Sequence, residues 1–373
     1  MTGWRGTDST ASTRYGAGSA RRAANIRRIS SGCSTSSFLS ASTSRRLSWS
    51  LFSRRRDPFP QPGDACCSHS GRRFIMPSFQ LYRLADGRCL AASEFGAADG
   101  LPLFYQHGFP GSRLEAALMD EVATEIGLRL IALDRPGYGR SDFCPARTLA
   151  DWPTDLAAVA DQLGIARFGL LGVSGGGPYA MVCRELLEER VLATGIVCGL
   201  GPLAGTGLLS EMEWPARFSF SVMAGYPRLA APIFRLLVTP VLQRWPRLAL
   251  RLLTVAAPRA DRQVLRQRRV RERLTAAIGE AFRGGPDGVV HDLQLYTRGW
   301  QIPFGSGGGP LCFWHGLSDR TVPISHSHYL ARCCPRAEVN PFAEEGHFSL
   351  PVRHGDSILA ELKQIMEESD ANH

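Results

Sequence analysis

The sequence predicts an α/β fold built around a parallel sheet, and two observations support this class. Short apolar, strand-like runs recur at residues 101–106, 128–133, 168–173, 192–198, 311–314 and 337–342. Segments with helical apolar spacing lie between several of these runs, and such an alternation of strands and helices favours parallel pairing. The alternation stops between residues 203 and 306, where several proline-broken helices are predicted instead.

Two further elements follow from local signals. An antiparallel hairpin is predicted near the start of the folded region, because Asp86-Gly87 separates apolar runs at residues 79–84 and 88–95. A helix is expected over residues 115–126, directly before the buried strand 128–133. Another helix is indicated by apolar side chains that share one helical face, namely Leu149, Trp152, Leu156, Val159 and Leu163.

The most informative motif is Gly172-Val173-Ser174-Gly175-Gly176, which lies between a predicted strand and a helical pattern. The pattern Gly-x-Ser-x-Gly at such a junction is typical of a nucleophile elbow, a tight turn that exposes the serine hydroxyl above the sheet. Glycine is expected at 172 and 176, because a Cβ atom there would collide with a neighbouring strand or helix. Since Gly175 has no side chain, we expect the pocket floor to be open at that position.

Two more side chains complete a candidate catalytic triad. Asp319 follows the apolar run 311–314, and His347 follows the predicted strand 337–342. The carboxyl ends of parallel strands meet at one edge of a sheet, so both side chains are expected beside Ser174. There His347 takes the proton of Ser174, and Asp319 holds the imidazole tautomer and stabilises its cation. The alternatives are that Asp319 only caps the next helix and that His347 only bonds to the backbone.

Two main-chain amides are candidates for an oxyanion hole. The strand 101–106 runs into His107-Gly108-Phe109-Pro110-Gly111-Ser112, a turn expected to point the N–H of Phe109 toward a reacting carbonyl. The second donor is expected to be the N–H of Gly175, at the helix end where the dipole favours negative charge. Loss of one such donor typically lowers the rate about 100–1,000-fold.

The chain resembles the α/β-hydrolase superfamily in the segments HGFPGS, DRPGYGRSD, GVSGGGPYA, WHGLSDRTVP and EEGHFSL, over roughly residues 79–368. The resemblance implies a mainly parallel eight-stranded sheet with helices on both faces and an inserted helical cap. The core would then comprise residues 76–202 and 307–373, and the cap residues 203–306. The chain order Ser, acid, His matches this family, and DRPGYGRSD matches one of its structural turns. The serine elbow argues against haloalkane dehalogenases and epoxide hydrolases, whose elbow carries Asp.

The function predicted from these motifs is hydrolysis of a small ester, thioester or lactone through an acyl-enzyme on Ser174. The substrate is expected to be a small molecule, and the chemistry requires no metal and no organic cofactor. C–C bond hydrolysis and acyl transfer are alternatives, because the same triad serves both reactions. A non-catalytic ligand-binding protein on a hydrolase scaffold is an alternative of another class.

Two side-chain groups outside these motifs have competing interpretations. Asp292 facing the pocket is one alternative, but a position at a helix start is preferred. A metal site formed by His326 and His328 with Cys333-Cys334 is a second idea. Their spacing fits no standard zinc pattern, so a helix is preferred there.

The predicted cap is basic. Fifteen arginines against seven acidic residues between positions 211 and 299 give it a net charge of +8. One hypothesis is that this charge attracts anionic substrates or an anionic membrane surface. The preferred interpretation is that arginine serves here as a solvated helix former.

Composition also separates a basic leader from the rest of the 373-residue chain. Residues 1–75 contain 13 arginines against three aspartates, a net charge of +10, while the whole chain carries +9, which leaves −1 for the remainder. The basic balance therefore gives no indication that the folded body binds nucleic acid. The leader is interpreted as a disordered Ser/Arg-rich tail, an organelle transit peptide or an upstream extension before Met76, and the last is preferred.

The cysteines show no paired spacing, so free thiols and a reducing compartment are expected. Five of them fall mostly in apolar strands or helices and are predicted to be buried, namely Cys89, Cys144, Cys183, Cys198 and Cys312. No apolar run reaches 18 residues, so no membrane span is predicted. The expected location is the cytoplasm, or an organelle if the leader is a transit peptide.

Overall fold

The computed structural model describes residues 76–372 except 301, 303, 306, 308 and 335, so the predicted leader 1–75 lies outside the described residues. The described chain contains one eight-stranded sheet with helices packed against it. Its strands are β1 (Gln80–Arg83), β2 (Cys89–Gly96), β3 (Leu101–Gln106), β4 (Leu128–Leu133), β5 (Phe168–Val173), β6 (Val191–Val197), β7 (Leu311–Gly316) and β8 (Ala337–Phe342).

The strand order is β1-β2-β4-β3-β5-β6-β7-β8. The pairs β1–β2 and β2–β4 are antiparallel, and all the others are parallel. The predicted hairpin joins β1 to β2, and Gly87 takes a φ of +89° in its turn, a conformation that favours glycine. The predicted mainly parallel eight-stranded sheet is therefore confirmed.

Two apolar layers cover the two faces of the sheet. Successive side chains of a strand point to opposite faces, and in β3 Phe104 joins one buried cluster while Leu103 and Tyr105 join the other. The first layer includes α2 and α3, and the second includes α1 and α14. The helices of the core are α1 (Asp120–Ile126), α2 (Trp152–Gln162), α3 (Gly177–Leu186), α12 (Ser325–Cys333), α13 (Ser349–Arg353) and α14 (Gly355–Ala371).

The expected single helix over residues 115–126 is wrong. A 3-10 helix spans Arg113–Leu118, and α1 begins only at Asp120. The N–H of Met119 bonds to the carbonyl of Ala116 at 2.9 Å, which is the tighter spacing of a 3-10 turn. The first segment is buried along most of its length, because Arg113 and Glu115 reach inward to polar partners described below.

Between β6 and β7 the described chain is helical. This segment contains α4 (Leu208–Glu211), α5 (Trp214–Gly225), α6 (Pro227–Ile233), a π-helical turn (Phe234–Val238), α7 (Thr239–Arg244), α8 (Pro246–Ala256), α9 (Arg259–Leu265), α10 (Arg268–Ala281) and α11 (Asp287–Thr297). We refer to residues 203–306 as the cap segment. No helix in the described part of the chain combines the length and the apolarity needed to cross a bilayer.

The described cysteines are free thiols. Cys183, Cys198 and Cys312 are buried, as expected from their apolar surroundings. Cys89 and Cys144 are only half-buried, so the prediction of burial is wrong for these two. Both lie near the hairpin edge of the sheet, where Asp142 accepts a hydrogen bond from the N–H of Cys89 at 2.7 Å.

Candidate active site

Ser174 lies in the sharp turn between β5 and α3. Its φ of +53° is in the left-handed region, which is strained for a residue with a Cβ atom. A Cβ atom on Gly176 would overlap the carbonyl oxygen of Gln106, and one on Gly172 would lie 2.9 Å from the Cβ of Ala180. Glycine is therefore required on both sides of the serine, as the motif predicted.

The expectation of an open pocket floor at Gly175 is wrong. A Cβ atom there would lie 2.6 Å from the Cβ of Phe109 and 2.9 Å from the hydroxyl oxygen of Tyr296. The space that a side chain at position 175 would need is thus filled by the loop after β3 and by cap helix α11. Glycine at 175 allows the Phe109 loop to approach the elbow closely.

The structure brings the three predicted triad side chains together. Nε2 of His347 lies 2.9 Å from Oγ of Ser174, and Nδ1 lies 2.7 Å from Oδ2 of Asp319. The other carboxylate oxygen of Asp319 accepts hydrogen bonds from the N–H groups of Thr321 and Val322, both at 2.9 Å. Asp319 therefore fixes its own turn as well as the imidazole, and Asp319 and His347 are both buried.

The buried pair is electrostatically coupled. Burial lowers the pKa of His347, but the carboxylate of Asp319, with smaller contributions from Asp261 and Glu115, raises it above the ordinary value. Burial raises the pKa of Asp319, but His347 and His315 hold it well below the ordinary value. Asp319 is thus an anion that favours the protonated imidazole.

The two candidate oxyanion donors, the N–H groups of Phe109 and Gly175, are close to each other. A Cβ atom on Gly175 would lie only 3.3 Å from the nitrogen of Phe109. The peptide that carries the N–H of Phe109 is held through its carbonyl, since Arg135 donates to the oxygen of Gly108 at 3.2 Å. The peptide that carries the N–H of Gly175 is held in the same way, since Leu200 donates its N–H to the oxygen of Ser174 at 3.0 Å. Gly175 also lies in the first turn after the elbow, where N–H groups have no partner within the helix.

Glu115 is a site residue that the sequence analysis missed. Its carboxylate lies under the loop after β3, where it accepts the N–H of Gly108 at 3.1 Å and the hydroxyl of Tyr105 at 2.9 Å. A Cβ atom on Gly111 would overlap this carboxylate. Burial raises the pKa of Glu115 above its usual value, although the N–H of Gly108 and the Tyr105 hydroxyl counteract this effect. Glu115 thus braces the loop that carries the Phe109 amide.

Asp261, on cap helix α9, is the second missed residue. Its carboxylate accepts three consecutive backbone N–H groups, from His347 at 3.0 Å, Phe348 at 2.9 Å and Ser349 at 2.8 Å. A Cβ atom on Gly346 would lie 2.6 Å from the same carboxylate, so glycine is needed for this approach. The loop that presents the imidazole is therefore clamped by the cap segment.

Asp292 contradicts its preferred interpretation as a helix-start residue. Helix α11 starts at Asp287, and Asp292 lies in its middle, fully buried. Burial raises its pKa, but Arg135 and Arg147 lower it well below the ordinary value. Besides these two arginines, the carboxylate accepts the hydroxyls of Tyr138 and Tyr179, and the hydroxyl oxygen of Tyr296 lies 3.2 Å away.

This network connects the cap segment to the site. Arg135, which pairs with Asp292 at 2.9 Å, also donates to the carbonyl oxygens of His107 and Gly108. Tyr296 donates its hydroxyl to the carbonyl of Gly175 at 2.8 Å. One buried carboxylate on α11 therefore organises contacts to both walls of the oxyanion region. The DRPGYGRSD segment, which contains Arg135, has a supporting role here.

The segment with His326, His328 and Cys333-Cys334 forms helix α12 over Ser325–Cys333, as preferred, and these side chains are not grouped as metal ligands among the described residues. His326 accepts the N–H of Gly201 at 2.9 Å within the core, while His328 lies on the exposed side of α12. A different trio of the described residues has metal-ligand spacing, namely Cys198, His315 and Asp319. Both ring nitrogens of His315 already lie 2.7 Å from other partners, Ser327 Oγ and the carbonyl of Val322.

Comparison with known proteins places this geometry in a family. Residues 102–353 match the family model described as the alpha/beta hydrolase fold. A dihydrolipoyllysine-residue acetyltransferase component of an acetoin cleaving system from Pseudomonas putida is 29% identical over 268 residues, which cover 70% of this chain. The chain spans only 62% of that relative's length. A 2-hydroxymuconate semialdehyde hydrolase from Pseudomonas putida is 24% identical over 257 residues, which cover 66% of this chain and 79% of the relative.

Solved structures agree at the level of the fold. A thermophilic esterase from Thermogutta terrifontis has a TM-score of 0.56 and 18% identity, and the match covers 79% of this chain and 99% of the esterase. The sheet order, the elbow after β5 and the match over residues 102–353 lead to one conclusion. The chain belongs to the α/β-hydrolase family of enzymes.

Proposed function

We propose that this chain is a serine hydrolase that cleaves a small ester, thioester or lactone through an acyl-enzyme on Ser174. The observation that carries the proposal is the continuous hydrogen-bonded series from Oγ of Ser174 through His347 to Asp319, with distances of 2.9 and 2.7 Å. A nucleophile, a base and a group that orients the base are the three parts that this chemistry requires.

In the first half-reaction, Oγ of Ser174 attacks the carbonyl carbon and Nε2 of His347 accepts the hydroxyl proton. The carbonyl oxygen becomes an anion and is bound by the N–H groups of Phe109 and Gly175. The tetrahedral intermediate collapses, the bond to the leaving group breaks, and His347 returns the proton to the departing oxygen or sulfur. Asp319 stabilises the imidazolium during these steps.

In the second half-reaction, water replaces the leaving group. His347 removes a proton from the water, whose oxygen attacks the acyl carbon and forms a second oxyanion in the same place. The bond to Ser174 breaks, Oγ recovers its proton from His347, and the carboxylic acid leaves. These steps use groups of the protein and one water molecule.

A fluorophosphonate probe tests the proposal, because it modifies only a serine that has been activated as a nucleophile. We expect the intact chain to be labelled at Ser174 and the Ser174→Ala variant to lose the label. Ser357→Ala, which changes an exposed serine on α14, is the matched control and should be labelled normally. Labelling that persists in Ser174→Ala, or is absent from the intact chain, contradicts the proposal.

C–C bond hydrolysis is the second candidate, and the observation that favours it is the similarity to a 2-hydroxymuconate semialdehyde hydrolase over 66% of this chain. A panel of p-nitrophenyl esters of increasing chain length, a lactone and a vinylogous diketone separates the two reactions. Preferential turnover of the diketone would replace the ester assignment. Adding an alcohol acceptor to the ester assays measures acyl transfer in the same experiment.

A further inference from the structure

The outer side of the cap segment exposes an unusual amount of apolar surface. Fourteen of the nineteen exposed large apolar side chains in the described chain lie between residues 214 and 255. Their exposed fractions are high, for example 72% for Trp214, 71% for Leu236 and 76% for Val255. We call the exposed side chains of residues 214–260 the outer cap face. Clustered apolar exposure of this kind marks an interaction surface.

The charge on the same stretch has one sign. Between residues 214 and 260 the sequence has seven arginines and no aspartate, glutamate or lysine. All seven arginines are exposed. In contrast, three acids of the cap segment, Asp261, Glu280 and Asp292, are buried against the core. Asp287, which follows the stretch, pairs with one of the seven arginines, Arg235. The arginines still outnumber this one acid, so the outer cap face is both apolar and cationic.

Helix α8 shows how the two kinds of side chain are arranged. Leu248, Leu252 and Val255 follow each other at helical spacing on one exposed side, with exposed fractions of 45%, 63% and 76%. Arg247 and Arg251 lie along one edge of this stripe and are also exposed. Leu250, elsewhere on the helix, is 1% exposed and packs inward. An exposed leucine and valine stripe bordered by arginines is typical of helices that lie in a membrane interface.

Helix α5 connects this face to the site. On its inner side, the ring of Phe220 is buried and lies 6.2 Å from the ring of Phe109 in the oxyanion loop. On its outer side, Trp214 and Phe218 are exposed and stacked at 5.5 Å. On α5, the outer cap face is therefore the side of the helix that points away from the oxyanion loop.

We propose that the outer cap face docks onto the surface of an anionic lipid bilayer. Anionic headgroups pair with the exposed arginines, and the acyl region of the bilayer takes up the apolar side chains. The aromatic side chains Trp214, Tyr226 and Trp245 are of the kind enriched at the bilayer–water boundary. A fluid bilayer also accommodates side chains that protrude from several helices without a complementary pocket.

Charge argues against the other occupants. A second copy of this chain would bring two arginine-bearing faces together, with no acid between residues 214 and 260 to pair with them. Residues 1–75 carry a net charge of +10 and are repelled by the same face. The docking proposal does not depend on the catalytic assignment, so either can fail without the other.

The test is co-sedimentation of the full chain with phosphatidylcholine vesicles, with and without phosphatidylglycerol. We expect binding to the anionic vesicles only, weakened by salt. Each arginine near an anionic surface changes partitioning about fivefold, so Arg247→Gln with Arg251→Gln should weaken binding by about 30-fold. The triple variant Leu248→Ser, Leu252→Ser and Val255→Ser should lose most of the remaining affinity.

Matched controls remove the same groups elsewhere. Arg83→Gln with Arg336→Gln removes two exposed charges, and Leu81→Ser with Leu186→Ser removes two exposed leucines. Both controls should bind as the intact chain does. The basic leader could itself bind anionic vesicles, so vesicle binding that is unchanged in the cap variants overturns the proposal. Control variants that weaken binding as much as the cap variants do also overturn it. Circular dichroism melting verifies that each variant is folded.

Two further measurements make the outcome specific to this face. Lipids brominated in the acyl chain quench indoles that enter the bilayer, and we expect Trp245→Phe to reduce that quenching. Light scattering tests the rival occupant, a second copy. A dimer that the triple variant converts to a monomer, together with no vesicle binding, assigns the face to self-association and overturns the membrane proposal.

Discussion

At the scale of single residues, the candidate site depends on backbone geometry as much as on reactive side chains. Ser174 holds a φ of +53°, and the glycines around it are required by close contacts with Gln106, Ala180 and Phe109. Strain of this kind persists only where the surrounding structure enforces it. Here the surroundings are the end of β3 with the loop after it, helix α3 and cap helix α11.

The first prediction concerns Gly175→Ala. The added Cβ atom would lie 2.6 Å from the Cβ of Phe109, so it must push the two oxyanion donors apart. We expect kcat on a p-nitrophenyl ester to fall by about 100-fold or more. Gly225→Ala is the control, because a Cβ atom at Gly225 has nothing within 4 Å. Unchanged kcat in Gly175→Ala would show that the two amides do not act together.

The second prediction concerns pH. The neutral imidazole of His347 is the base, so kcat/KM should fall as the pH drops through its pKa, which Asp319 raises above the ordinary 6.5. Asp319→Asn removes the group that raises the pKa, and burial then lowers it, so the acid limb should move to lower pH. The same variant should reduce kcat by about 10,000-fold, because the tautomer is no longer fixed.

The control for this pH series is Asp99→Asn, which alters an exposed carboxylate in the turn before β3. It should leave both the limb and kcat unchanged. If the acid limb of the kcat/KM profile does not move in Asp319→Asn, a group other than His347 controls that limb.

At the scale of elements, cap helices position the catalytic loops. Helix α9 holds the His347 loop through Asp261, and helix α11 holds Arg135 and Gly175 through Asp292 and Tyr296. Through these contacts the cap segment helps to position the candidate site in addition to lying next to it.

The third prediction tests α9. In Asp261→Asn one acceptor oxygen is replaced by an amide donor that faces the backbone N–H groups of residues 347–349. A buried donor left unpaired costs about 1–3 kcal/mol, and we expect kcat/KM to fall by about 10- to 100-fold. The acid limb should also shift to lower pH, because Asp261 contributes to the raised pKa of His347.

Asp356→Asn is the matched control, since Asp356 is an exposed acid in the first turn of α14. It should change neither quantity. A lower melting temperature for Asp261→Asn with an unaltered pH profile and kcat would assign that residue a purely structural role.

At the scale of the whole molecule, the cap segment and the core share buried charges. Arg113 pairs with Glu280 of α10 at 2.8 Å, and Asp292 of α11 pairs with both Arg135 and Arg147. Each partner is nearly or fully buried. Removing one member of such a pair leaves a buried charge without compensation, which is far more costly than losing a surface ion pair.

The fourth prediction follows from these pairs. Asp292→Asn should lower the free energy of unfolding by about 3–5 kcal/mol, measured by chemical denaturation, because two guanidinium groups lose their buried carboxylate. Asp287→Asn is the control on the same helix, where the pair with Arg235 is exposed, and should cost less than about 1 kcal/mol. Equal effects of the two variants would contradict the proposed role of Asp292.

Much of the architecture was predictable because its signals are local. The elbow pentapeptide, the alternating strands and the Asp86-Gly87 turn each depend on neighbours within a few residues, and the structure contains these elements. The positions of Asp319 and His347 after their strands followed from the rule that parallel strands end at one edge. Their roles in catalysis stay a proposal that the labelling experiment tests.

The supporting roles of Asp261 and Asp292 were not predictable, because their partners lie far away in the chain. Asp292 contacts Arg135 across 157 positions, and Asp261 contacts His347 across 86. The one available signal was the composition around Asp292, an acid within the apolar run Val289-Val290-His291-Asp292-Leu293. A charged residue in such a run indicates a buried ion pair at least as well as a helix start.

The positions of the buried acids divide the cap segment into two parts that differ in how well they should tolerate replacement. Helices α9 to α11 carry Asp261, Glu280 and Asp292, so exchanging them would strand arginines in the interior or release the histidine loop. Helices α6 to α8 carry none of these anchors, and many of their apolar side chains face outward. Replacement of part of the cap by a foreign segment should therefore be tolerated when the replaced part ends before Asp261. It should fail when the replaced part extends beyond Asp261.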